Sequence, residues 1–185
     1  MLGMAAIAKP MVLTLIGEKW EPCIIYLQML CFVGMFYPLH ALNLNMLQVQ
    51  GRSDLFLRLE IIKKILAVPI IIIGIFWGIK AMILGMIVIS LIAYYLNSYW
   101  SGRLIGYSFL EQLKDIIPSL ILALIISAIT YTEGILIPYS PFPLLIIQLI
   151  SGIFLTLGIC ETIKFKDYIY LKTTVIDKFL KPAND

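Results

Sequence analysis

The polar side chains that could bind a ligand are concentrated between Tyr37 and Asp54. This segment holds the only histidine, two asparagines, two glutamines and an arginine, namely His40, Asn43, Asn45, Gln48, Gln50 and Arg52. Polar side chains are costly in hydrocarbon, so such a cluster beside an apolar run faces protein or a wet cavity rather than lipid. On a helix, Asn45, Gln48 and Arg52 fall within about 60° of one another, and His40 and Asn43 share a neighbouring face. The alternative interpretation is hydrogen bonding between helices that holds a bundle together.

Four basic residues follow closely, and phosphate is the ligand chemistry they favour. Arg52, Arg58, Lys63 and Lys64 precede an apolar run that ends at Lys80. The run after Lys64 makes about 22 Å of helix against a hydrocarbon thickness of about 30 Å, so the lysines enter the membrane margin. They either extend to the headgroups, with Glu60 pairing with Lys64, or they line a cationic surface for an anionic headgroup.

A second polar stripe lies further along the chain. Ser90, Tyr94, Asn97 and Ser101 recur at helical spacing, so they line a cavity or pack on neighbouring helices. The sequence holds no HExxH, no GxSxG, no Walker loop and no acidic pair placed for catalysis. Its three cysteines have no metal-ligand spacing. We therefore expect a protein that is not an enzyme and uses neither a metal nor another cofactor.

Composition predicts the environment of these residues. The chain is 61% hydrophobic and only 14% charged, with a mean hydropathy of +0.98, whereas soluble domains have about 25% charged residues. Several apolar runs approach the roughly 20 residues of a membrane-spanning helix. The fold class expected is an all-α, polytopic membrane helix bundle. The net charge of +3 is spread between the apolar runs, which argues against a nucleic-acid partner.

Apolar runs and breakers predict five complete transmembrane helices plus the end of a sixth. The expected helices are A (1–16), B (23–49, kinked at Pro38), C (55–79), D (81–100), E (118–131) and F (144–163). Helix A is too short to span, so it is interpreted as the end of a longer helix. Residues 107–117 mix charged and apolar side chains and are expected to form an interfacial elbow. Residues 164–185 form a basic tail.

Charge asymmetry predicts the orientation. Lysine and arginine are frequent at the B–C junction, at the D–E junction and in the tail, and sparse in the opposite loops. The positive-inside rule places the basic side in the cytoplasm, so the expected topology is multi-pass with a cytoplasmic C-terminus.

Several segments in order resemble a known transporter family. The landmarks are Pro10 followed by Gly17-x-x-Trp20, then Asn45-x-x-Gln48-x-x-Gly51-Arg52, then Gly78-Ile79 with Ala81 and Gly85. With these landmarks, residues 1–107 resemble the C-terminal half of Wzx-like polysaccharide flippases, a branch of the multidrug/oligosaccharidyl-lipid/polysaccharide exporter superfamily. Helices E and F resemble the extra C-terminal helix pair of the longer members.

The resemblance implies a two-bundle fold of twelve to fourteen helices, of which this chain is an incomplete half. Residues 1–106 would form a partial C-terminal bundle, residues 107–163 the elbow and extra helix pair, and residues 164–185 a cytoplasmic tail. The missing N-terminal bundle, or another membrane subunit, would be a partner of such a half.

The resemblance also implies a function. Family members translocate undecaprenyl-diphosphate-linked oligosaccharide across the bacterial inner membrane for O-antigen, capsule or exopolysaccharide assembly, with the lipid-linked oligosaccharide and membrane lipids as partners. By this resemblance, the diphosphate would contact Arg52, Arg58, Lys63 and Lys64. The cavity would be lined by His40, Asn43, Asn45, Gln48, Tyr94 and Asn97. The alternatives are an exporter of drugs or small solutes from the same superfamily, and a non-transporting structural or inactive truncated membrane protein.

Overall fold

Every regular element in the described part of the chain is helical. The computed structural model describes residues 1–137, 140–163, 168–170 and 172–174. The longer elements are α1 (Leu2–Ala6), α2 (Ala8–Leu15), a 3-10 helix (Glu18–Cys23), α3 (Ile24–Gly34), α4 (Tyr37–Val49), α5 (Ser53–Trp77), α6 (Ile79–Ile105), α7 (Phe109–Leu136) and α8 (Pro141–Thr162). The predicted all-α fold class is confirmed.

Four helical segments are long and apolar enough to cross a membrane, which indicates a multi-pass membrane protein. They are Glu18–Val49, which includes the 3-10 helix, α3 and α4, together with α6, α7 and α8. The predicted number of five is not confirmed. Helix α5 has 25 residues, but every 18-residue stretch of it contains Glu60, Lys63 and Lys64, which are costly in hydrocarbon.

The segment predicted as helix B is interrupted at residues 35 and 36, close to the expected kink at Pro38. Helix α3 ends at Gly34 and α4 begins at Tyr37, so that Pro38 lies in the first turn of α4. A proline is tolerated there because the first amide groups of a helix have no intrahelical acceptor. The break therefore falls just before the proline. The predicted helix A corresponds to α1 and α2, which Ile7 separates.

The predicted elbow is not separated from helix E. Ser108 caps the amino end of α7, and the hydroxyl of Ser108 and the carboxylate of Glu111 form a reciprocal capping box. From Phe109 the helix continues through Pro118 to Leu136. Helix E was expected to begin at about Pro118, with an entry from Ile116 left open, whereas α7 begins at Phe109 and includes Pro118. The basic tail lies mainly outside the described residues, which omit 164–167, 171 and 175–185.

Helices α5 and α6 form a close hairpin, and α4 packs across α6. Small residues permit the close approach, because a Cβ atom on Gly74 would lie 2.9 Å from the Cβ of Met82. The apolar core where α4 meets α5 consists of Leu47, Leu55 and Leu59. On the other side, α1 packs on α7 and α2 packs on α8.

The corner between α6 and α7 is also closely packed. Gly106 ends α6 with a φ of 69°, a left-handed conformation that glycine adopts easily. A Cβ on Gly102 would lie only 2.6 Å from the backbone oxygen of Tyr107. The chain can therefore turn from α6 into α7 only if residue 102 has no side chain.

We predict that Gly102→Ala destabilises the protein and that Gly158→Ala does not. At Gly158 no heavy atom lies within 4 Å of the added methyl. Overpacking costs about 1–3 kcal/mol, whereas alanine in an open helix position gains up to about 1 kcal/mol over glycine. Thermal unfolding of detergent-solubilised protein measures the difference. Equal midpoints for the two variants would contradict the close packing at the corner.

Candidate functional site

His40 is held between two hydrogen-bonding partners on α6. Its Nε2 lies 3.1 Å from the Oγ of Ser90, and its Nδ1 lies 3.3 Å from the Nδ2 of Asn97. Since an amide nitrogen only donates, Nδ1 is the acceptor, and Nε2 carries the proton and donates to Ser90. The arrangement fixes the orientation and the neutral tautomer of the ring. Asn97 is fully buried, so this contact joins α4 and α6 inside the bundle.

Asn43, one turn after His40, connects α4 to two further helices. Its Nδ2 donates to the Oε1 of Gln112 on α7 at 3.1 Å and to the backbone oxygen of Leu39 at 2.9 Å. Its Oδ1 accepts a hydrogen bond from the hydroxyl of Ser101 on α6. Gln112 in turn donates to the backbone oxygen of Tyr107 at 3.3 Å. We call the side chains of His40, Asn43, Ser90, Asn97, Ser101 and Gln112 the polar network.

The network has unused hydrogen-bonding capacity. The hydroxyls of Tyr94 and Ser98 and the Oδ1 of Asn97 are buried and have no partner among the described residues. The ring of Tyr94 lies 6.4 Å from the ring of His40 and 5.4 Å from that of Phe109. Buried polar groups of this kind need a partner, and ordered water or a ligand group supplies one.

A groove of about 860 Å³ opens beside the network, between α3, α4, α5 and α6. We call it the α4–α6 groove. Most of its wall is apolar, and its polar lining residues are Tyr37, His40, Glu60, Lys63, Lys64 and Ser90. Lys63 forms an ion pair with Glu60, so the predicted pairing of Glu60 with Lys64 was wrong. An apolar groove with a few convergent polar groups is the usual form of a small-molecule site.

Six of the ten predicted site residues lie in or beside this groove. His40, Lys63 and Lys64 line it. Asn43 and Asn97 belong to the polar network, and Tyr94 packs on the ring of His40. Helical spacing predicted His40, Asn43, Tyr94 and Asn97, whereas the short apolar run after Lys64 predicted the two lysines.

The other four predicted residues lie elsewhere. Asn45 and Gln48 are exposed, because Asn43 and Leu47 turn inward and both polar residues lie roughly 140° or more from Asn43 around the helix. Their expected position on a cavity wall is therefore not observed in this chain.

The two arginines also lie outside the groove lining. Arg52 pairs with Asp54 at 3.0 Å, and Arg58 is exposed. The pairing with Asp54 raises the pKa of Arg52, chiefly through the hydrogen bond between the two side chains.

Sequence patterns did not identify Gln112 as part of the site. It is 6% exposed, and its partner Asn43 lies 69 positions away in the chain. Nearby, the hydroxyl of Tyr107 donates to the carboxylate of Asp115. This hydrogen bond raises the pKa of Tyr107 to about 12, so the phenol stays protonated at neutral pH. The hydrogen bond between Tyr107 and Asp115 holds the first turns of α7 against the corner between α6 and α7.

No protein-family model, no curated protein and no solved structure matches the chain. Among the described residues, no group of three or more His, Cys, Asp or Glu side chains is placed to hold a metal ion. The functional interpretation therefore depends on the groove and the polar network themselves.

We predict that Asn43→Leu lowers the thermal unfolding midpoint and that Asn45→Leu leaves it nearly unchanged. The first variant removes bonds to Gln112 and Ser101, and such interhelical hydrogen bonds contribute about 0.6 to 1.7 kcal/mol each. The second replaces an exposed amide for which no hydrogen bond is described. Each variant is heated to a series of temperatures and then analysed by size-exclusion chromatography, and the fraction that remains folded gives the unfolding midpoint. If both variants behave alike, the network does not hold the helices together.

Proposed function

We propose that this chain is part of a bacterial inner-membrane transporter that translocates an undecaprenyl-diphosphate-linked oligosaccharide, and that it is not an enzyme. The observation that supports the proposal is the mixed character of the α4–α6 groove. The α5 wall carries Lys63, Lys64 and Glu60, the α4 and α6 walls carry Tyr37, His40 and Ser90, and the remainder is apolar. An amphiphile with an anionic group, hydroxyl groups and a hydrocarbon chain is complementary to all three.

The lysines are the proposed contacts of the diphosphate. Lys64 is exposed, and none of the ion pairs among the described residues includes it. Lys63 is bound to Glu60, and it would exchange this carboxylate for a phosphate oxygen. Charge-assisted hydrogen bonds from ammonium groups are about twice as strong as neutral ones. Arg52 and Arg58 lie outside the groove, so their proposed part is longer-range attraction of the anion.

The proposed sugar contacts are side chains of the polar network that reach the groove. His40 and Ser90 line the groove, and sugar hydroxyls both donate and accept hydrogen bonds. The prenyl chain would lie along the apolar wall, which includes Ala67, Ile71 and Met86. Burial of hydrocarbon in this wall is non-directional, so it accommodates a flexible chain.

A second helical bundle, or another membrane subunit, is the proposed partner across the groove. Transporters of this general kind bind substrate between two bundles and expose the site alternately to the two sides. In this proposal, α4, α5 and α6 contribute one wall of the site.

We predict that the double variant Lys63→Gln, Lys64→Gln weakens binding of undecaprenyl diphosphate about tenfold or more, because it removes charge-assisted contacts. Native mass spectrometry of the wild-type chain in nanodiscs compares the binding of three ligands: undecaprenyl diphosphate, undecaprenyl monophosphate and undecaprenol. Affinity should fall in that order.

Lys80→Gln is the matched control, since Lys80 is an exposed lysine at the start of α6 and does not line the groove. Equal binding of undecaprenol and the diphosphate would contradict the phosphate contact. Absence of binding to all three would favour a structural subunit. Binding of small amphiphilic cations instead would favour a small-solute exporter.

A further inference from the structure

A second polar pocket lies on the side of the chain away from the α4–α6 groove. It has a volume of about 470 Å³ and is enclosed by α1, α2 and the hairpin of α7 and α8. We call it the α2–α8 pocket. Its polar side chains are Lys9, Tyr131 and Gln148, and the remainder of its lining is apolar or glycine. None of these residues belongs to the proposed transport site.

Gln148 lines this pocket and carries a buried acceptor to which no described residue donates. The side chain is only 1% exposed, and its Nε2 donates to the backbone oxygen of Thr130 at 2.8 Å. Its Oε1 has no partner among the described residues. The amide cannot reverse without placing Oε1 against the oxygen of Thr130. A Cβ on Gly134 would lie 2.5 Å from Nε2, so the glycine leaves just enough room for this orientation.

Lys9 brings an unmatched cation. It is exposed on α2, and α2 packs on the membrane-spanning helix α8. None of the ion pairs within the described part of the chain includes Lys9. Lys9 lines the same pocket as Gln148, and an anionic ligand group there would supply the partner that its ammonium lacks among the described residues.

We propose that the α2–α8 pocket binds the headgroup of an anionic glycerophospholipid that carries a free hydroxyl, of the phosphatidylglycerol type. The phosphate contacts the ammonium of Lys9, and a headgroup hydroxyl donates to the Oε1 of Gln148. Within the described residues, the ammonium of Lys9 lacks an anionic partner and the Oε1 of Gln148 lacks a hydrogen-bond donor, so a ligand that satisfies both must supply an anion and a donor. Phosphatidylcholine supplies the phosphate but no donor.

The location favours a lipid over a soluble phosphate ester. The pocket opens beside exposed apolar side chains, including Ile135 at 68% and Leu136 at 78% exposure. These surfaces are suited to acyl chains that continue from the headgroup into the bilayer. The bound lipid would rest against α2, α7 and α8. This inference does not depend on the transport proposal.

The test uses the full chain in nanodiscs that contain equal amounts of phosphatidylglycerol, phosphatidylmethanol and phosphatidylcholine; phosphatidylmethanol is an anionic phosphodiester without a headgroup hydroxyl. Native mass spectrometry counts the lipids retained after release from the disc. Wild-type protein is expected to retain phosphatidylglycerol in preference to both others. Lys9→Met is expected to reduce the preference over phosphatidylcholine about tenfold. Lys80→Met, which removes an exposed lysine outside the pocket, is expected to change nothing.

Gln148→Met separates the two contacts. It is expected to abolish the preference for phosphatidylglycerol over phosphatidylmethanol while the preference over phosphatidylcholine remains. If this variant does not fold, the wild-type preference and the Lys9→Met variant still test the site. A wild-type preference over phosphatidylcholine that survives Lys9→Met, or no wild-type preference for phosphatidylglycerol over phosphatidylmethanol, would overturn the site. Displacement by soluble glycerol 1-phosphate would overturn its assignment to a lipid.

Discussion

Buried polar groups in an apolar bundle must find partners, and the structure of the central helices depends on how Asn43 does so. Its amide bonds to Gln112 on α7 and accepts from Ser101 on α6, so one side chain fixes three helices. In a membrane no water competes for these groups, and an unsatisfied one costs several kcal/mol. The register of α4 against α6 that satisfies Asn43 also brings His40 to Ser90 and Asn97. The candidate site is thus a consequence of the same constraint that positions the helices.

Two separate polar surfaces result from this arrangement. The α4–α6 groove combines lysines, a histidine and apolar walls, and its chemistry favours an amphiphilic anion. The α2–α8 pocket contains one lysine and one unsatisfied amide oxygen, and its chemistry favours a lipid headgroup. The helix pair α7 and α8, which lines the pocket, is joined to the network through Gln112 and to α2 by packing. Occupancy of the pocket by a lipid would therefore stabilise the helices that support the groove.

Much of the fold could be predicted because apolar run length and charge spacing decide where membrane helices form. The sequence did not specify how each proline is accommodated in the helices. Pro38 lies in the first turn of α4 after a two-residue interruption, and Pro118 lies inside α7. Helical periodicity grouped His40 with Asn43 correctly. It could not exclude Asn45 and Gln48, because the inward face of α4 is chosen by the packing of Leu47 and the bonds of Asn43. Gln112 was missed because its partner is distant in the chain.

Photo-crosslinking can test the proposed binding of a polyprenyl diphosphate in the α4–α6 groove. A polyprenyl diphosphate with a photoreactive group near the phosphates would be irradiated with the full chain in nanodiscs, followed by peptide mapping. If the groove is the binding site, the probe labels α5 near Lys64 and α6 near Ser90, and unlabelled undecaprenyl diphosphate reduces this labelling. Labelling confined to α7 and α8, or labelling that the unlabelled compound does not reduce, would contradict it.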